Sequence, residues 1–184
     1  MVQTRLVILF VMLLGLAACK IDRRNTIDRD RITFRYTEDA LLFFKNVRQI
    51  YYDFHDLPAA RWYAYRYSDR RIDPQKPVLT PVIVIDWVKN EAYILVETNE
   101  FFEKESSLKI VETTAKGTRY SYSLSERGRE NMIEFSTKIY EGIMDENKIE
   151  IVIGDTPYDL FSDETDRDHF RVVMADYYRL TRVF

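Results

Sequence analysis

Apolar and polar positions divide the chain into one leading apolar run and a series of short periodic segments. Leu6 to Leu14 is almost unbroken aliphatic and aromatic. It falls well short of the roughly twenty residues a membrane-spanning helix needs. Further on, Ile32-Thr33-Phe34-Arg35-Tyr36 alternates as a strand does. Thr37 followed by Glu38 and Asp39 reads as a helix start, with acids placed favourably in the first turn. Phe43, Val47, Ile50 and Phe54 then recur at helical spacing and predict a core-facing stripe, widened by Ala40, Phe44 and Tyr51.

Alternation returns at 60–67, where Trp62, Ala64 and Arg66 oppose Tyr63, Tyr65 and Tyr67. Segments 78–88 and 92–98 predict a hairpin turning at Lys89-Asn90. Segments 108–114 and 118–125 predict a second, turning at Ala115-Lys116-Gly117. Met132, Phe135, Ile139 and Ile143 mark a helix over 129–144. Ile149, Ile151 and Ile153 mark a strand over 148–153, and 154–163 reads as a loop. Ser162 or Thr165 is the expected cap of a last helix that carries Phe170, Val173, Met174, Tyr177, Leu180 and Phe184. The predicted order is β-α-β-β-β-β-β-α-β-α. Hairpins dominate, so the fold class is α+β: a mostly antiparallel sheet of about five to seven strands covered by three helices.

The leading run has Arg5 before it and Gly15, Ala17 and Ala18 after it, the layout of an export signal. It ends in Leu16-Ala17-Ala18-Cys19, which resembles the lipobox of bacterial lipoproteins. The resemblance covers residues 1–19. It implies cleavage before Cys19, lipidation of that residue, and residence on a membrane of the bacterial envelope. Lys20 is not the aspartate that the family's sorting rule associates with the inner membrane, so the outer membrane is the implied address. The expected organisation is a signal peptide at 1–18, a lipidated cysteine and polar tether at 19–30, and one domain at 31–184.

Composition narrows the chemistry. Cys19 is the only cysteine, so the domain has no disulfide and no thiolate zinc site. The net charge of −3 argues against nucleic acid as a partner. Glycine is scarce, and no phosphate-cradling loop, GxSxG, HExxH or Walker pattern occurs. No cofactor is expected. His55 and His169 are remote in sequence and read as helix-terminal or surface residues. Asp155, Asp159 and Asp163 lie in the densest acidic stretch and are weak candidates for calcium, without EF-hand spacing. Asp86 interrupts an apolar strand near its turn and is expected at an exposed strand end.

The sequence holds 13 tyrosines, 11 phenylalanines and two tryptophans. Trp62, Tyr63, Tyr65 and Tyr67 form the densest group, which is either core or a recognition face. The expected function is a non-enzymatic, membrane-anchored binding or structural module for a protein or glycan partner. An immunity or inhibitor lipoprotein of the periplasm and a glycan-acting hydrolase are the alternatives.

Overall fold

The computed structural model describes residues 27–102 and 105–184. The lipobox, Cys19 and the first part of the tether lie outside the described residues. The fold is α+β, with its strands in two antiparallel four-stranded sheets.

Sheet A is a meander of β1 (Tyr52–Leu57), β2 (Trp62–Tyr67), β3 (Leu79–Asp86) and β4 (Glu91–Thr98), paired in chain order. The β3–β4 turn has Asn90 at φ 55°, a left-handed position that asparagine tolerates. Sheet B has the order β6-β5-β7-β8, from β5 (Leu108–Thr113), β6 (Arg119–Leu124), β7 (Lys148–Ile153) and β8 (Thr156–Asp159). Helix α1 (Glu38–Phe43) runs into a π turn (Phe44–Arg48) and a 3-10 turn (Gln49–Tyr51) before β1. Helix α2 (Arg129–Met144) packs on β4, β6 and β7, while α3 (Glu164–Leu180) packs on β3, β4 and α2.

One apolar core joins the two sheets and the three helices. Sheet A contributes Tyr65, Ile83, Ile85, Ile94 and Val96; sheet B contributes Ile110, Ile149 and Ile151. The predicted stripe of α2 is buried in full, and Phe170, Val173, Met174, Tyr177 and Leu180 of α3 meet it. The other face of sheet A buries a smaller cluster of Ala64, Val82, Val84 and Tyr93 under Phe34, Trp62 and Leu95.

Several expectations are corrected. The segment 32–36 forms no strand. It lies along the edge of β4 with one bridge, Arg35 to Glu91, and the Ala92 amide donates to the Phe34 carbonyl at 2.6 Å. The first helix does not reach Phe54, because Tyr-Asp-Phe-His-Asp-Leu alternates and extends as β1. The supposed loop 154–163 contains β8, reached by a tight turn at Gly154, φ 59°. Pro157 is tolerated there because β8 is an edge strand. The cap of α3 is Asp163, whose carboxylate accepts the Asp166 amide at 2.8 Å, and the helix ends at Leu180. Part of the supposed tether is docked as well. Ile27 is buried, and Arg29 pairs with Glu141 of α2 at 2.5 Å.

Candidate functional site

The aromatic strand resolves first. Tyr63, Tyr65 and Tyr67 of β2 all point to the main core, and Tyr65 is fully buried against Phe44 with ring centroids 5.1 Å apart. Burial pushes the Tyr65 hydroxyl up to about 12. Tyr63 and Tyr67 are half-buried at the two ends of this row. Trp62 lies on the opposite face, packed on Tyr93. The four residues do not form one surface.

The open surface lies next to them, on residues expected in the core. Phe43, Val47 and Ile50 of the α1 segment are exposed, Ile50 at 76% of its area. Phe44 takes the inward position instead, against Tyr52 and Tyr65. On β1, Phe54 and Leu57 are exposed, and Trp87 and Val88 are exposed at the β3–β4 turn. Tyr63 links these parts. Its ring lies 5.3 Å from Phe54 and stacks on Trp87 at 6.4 Å, with the Lys45 ammonium 5.6 Å away. Phe54, Tyr63 and Trp87 are joined by ring contacts, and Phe43, Val47 and Ile50 are exposed on the α1 segment, while Leu57 lies on the opposite face with its partner Trp62. Exposed apolar side chains in such number on a folded domain mark a site of association. Among the described residues β1 is also an edge strand of sheet A with no further strand paired to it.

A buried polar network supports this surface from beneath. Asp176 of α3 is buried, and both its oxygens lie 2.9 Å from Nε of Arg48 in the π turn. The Tyr52 hydroxyl donates to the same carboxylate at 2.7 Å. Burial first, and then the nearby carboxylate, push that hydroxyl far above its ordinary range. Arg48 also lies over the Tyr51 ring at 4.7 Å. Sequence reasoning missed this network. The one signal was an acid, Asp176, set among the apolar positions Val173, Met174 and Tyr177.

The remaining candidates serve local structure. Asp86 is buried, not exposed. It accepts the amides of Val88 and Lys89 at 3.1 and 3.0 Å and so closes the β3–β4 turn. Burial alone would raise its pKa, yet these amides and the Trp62 indole outweigh that and hold it below the usual carboxylate range. His55 is exposed in mid-strand on β1, not at a helix end. His169 of α3 lies 5.0 Å from the Tyr67 ring, and its Nδ1 is buried without a hydrogen-bond partner. It lines a partly open pocket with Arg71, Asp166 and Phe170 that is wide enough to admit water.

Asp163 caps α3, and Asp159 accepts the Phe161 amide at 3.1 Å, while Asp155 sits at the β7–β8 turn. Among the described residues no group of three or more histidines, cysteines or acids is placed to hold a metal ion. Among them, too, no helix is long and apolar enough to cross a membrane. No protein-family model matches the chain, and neither a curated protein nor a solved structure matches it.

Proposed function

We propose that this is a lipid-anchored domain of the bacterial envelope whose task is binding, and that the exposed face of α1, β1 and Trp87 contacts a protein. The observation that carries the reading is the exposure of Phe43, Val47, Ile50 and Phe54. These residues have the spacing of a buried stripe, yet the domain leaves them uncovered. Aliphatic Val47 and Ile50 beside aromatic Phe54, Tyr63 and Trp87 suit a protein surface, whose centre is apolar and rich in aromatics. With lipid on Cys19, the chain up to docked Ile27 reaches about 28 Å at most, so the domain works close to its membrane.

Two measurements test the proposal. Cys19→Ser should abolish lipid processing and shift the protein out of its usual membrane fraction; a variant still processed as a lipoprotein would remove the anchor. A photo-reactive residue at position 50 in the full chain should give protein adducts that one at Lys116, in the β5–β6 turn, does not. Equal labelling at both positions would remove the binding face.

A further inference from the structure

We propose that the partner of this face is a second copy of the chain, joined antiparallel through β1 with Phe54 on the two-fold axis. The inference rests on the binding reading above and gives it an occupant.

The backbone sets the parity of the pairing. Ser68 donates its amide to the Tyr51 carbonyl at 2.9 Å, which makes that pair a hydrogen-bonded one. Antiparallel pairs alternate, so residues 53, 55 and 57 face β2, while Tyr52, Phe54 and Asp56 turn their amides and carbonyls outward. The Tyr52 amide is taken by the Gln49 carbonyl. The outward donors are therefore Phe54 and Asp56. A two-fold axis at Phe54 sets Phe54 opposite Phe54 and Asp56 opposite Tyr52. Each outward donor then meets an outward carbonyl of the other copy.

Charge selects among the registers this parity allows. With Phe54 on the axis, Asp53 of each copy, one oxygen of which is held by Arg70 and the other by Ser68, stands opposite His55 of the other, a cross-strand neighbour that can donate to it. Sliding by one pair in one direction sets Asp53 opposite Asp53. Sliding the other way sets His55 opposite His55 and gives up its pairing with Asp53. Slips of odd number fail, because they place a bonded position against an unbonded one.

The apolar face agrees. Phe54 points to the side of sheet A on which α1 lies, since Phe44 packs there on Tyr52 and Tyr65. Pairing the edges brings both α1 segments to one side of a continuous eight-stranded sheet. Such a closed two-fold contact is self-complementary and does not propagate into fibres.

Cysteine cross-linking in membranes carrying the full chain tests the register. Bonded antiparallel pairs have Cα atoms about 5.5 Å apart, within disulfide reach. Phe54→Cys should give a disulfide dimer on mild oxidation, and the unsubstituted chain, with only Cys19, should not. Asp53→Cys and His55→Cys alone should each cross-link poorly, because self-pairs there stand about 8 Å apart or more. The double variant should cross-link. Equal yields at 53, 54 and 55 would overturn the register.

Light scattering of the unsubstituted chain in detergent covers the case of a misfolded variant. A dimer is expected, and a monomer throughout would overturn the inference. Asp56→Pro removes an outward amide and no bond to β2, and should weaken the dimer about tenfold or more. Adducts from position 50 that contain only a different protein would overturn the second copy and keep the binding reading. Adducts with lipid alone would overturn both.

Discussion

The Arg48 guanidinium lies 2.9 Å from both carboxylate oxygens of Asp176, across a sequence separation of 128 residues. The Asp176 side chain is wholly buried, while Arg48 keeps about a fifth of its area. Removing the acid strands a cation and the Tyr52 hydroxyl in a site with little water. Asp176→Ala should therefore cost about 3 kcal/mol in urea unfolding, and Tyr52→Phe about 1 kcal/mol. Equal small losses for both would mean that the carboxylate is not the centre of the network.

Gly142 of α2 is needed for closeness, not for conformation. A Cβ there would stand 2.9 Å from the Glu112 carboxyl group, which is held by Asn147 at 2.6 Å and Tyr122 at 3.3 Å. Alanine improves helix propensity by about 1 kcal/mol, but here it must push that carboxylate off its partners. Gly142→Ala should be net destabilising by about 1–2 kcal/mol. Glu112→Ala should suppress the loss in a double-mutant cycle, and additive effects would exclude the contact as its cause.

Stability should fall at alkaline pH. Burial lifts the folded-state pKa of Tyr65 to about 12, above the ordinary 10.0. Tyr177 and Tyr178 are raised further, for the same reason. A raised acid gives its full stabilisation below the unfolded value and loses it as pH rises from about 10 through the folded value. The share of phenolate absorbance that belongs to the buried rings should appear together with the loss of far-ultraviolet dichroism above pH 10. Full ionisation with dichroism intact would contradict the burial of these rings.

Asp86 carries the opposite sign. Its depressed pKa gives stability that is present above the unfolded value of 3.8 and lost as pH falls below it. Asp86→Ala should flatten the acid limb of the stability curve and cost about 1–2 kcal/mol at neutral pH, through the two turn amides it leaves unbonded. An unchanged acid limb would remove Asp86 from the account.

Ile50→Lys separates folding from association. At 76% exposure the side chain contributes little to the core, so the unfolding midpoint should move by less than about 0.5 kcal/mol in free-energy terms. Adducts from a photo-reactive residue at Val47 should fall several-fold. Loss of stability without loss of adducts would reverse the assignment.

The hairpins, α2 and the inward side of α3 were legible because alternation and helical spacing coincide there with burial. Asn90 and Gly117 mark turns at left-handed φ, 55° and 81°. The first helix misled for a physical reason. Spacing at Phe43, Val47, Ile50 and Phe54 reports apolar periodicity alone, and here the first three stay exposed while Phe54 belongs to β1. The alternation of Tyr52-Asp53-Phe54-His55 was hidden beneath that helical pattern. The Arg48–Asp176 pair was illegible because nothing local links a π turn to the last helix.

The order in which these parts become available has its own consequence. Sheet A pairs strictly in chain order, so all its strands exist once Thr98 has emerged from ribosome or export channel. The carboxylate that Arg48 and Tyr52 require comes 128 and 124 residues after them. Phe44 can already lie on Tyr65, and α2 on β4, but until α3 follows the β3 part of this face, with Ile83, lacks the helix that packs on it. A chain made from its amino end must be shielded during that interval, and late arrival of α3 is the step at which this domain is most exposed to aggregation.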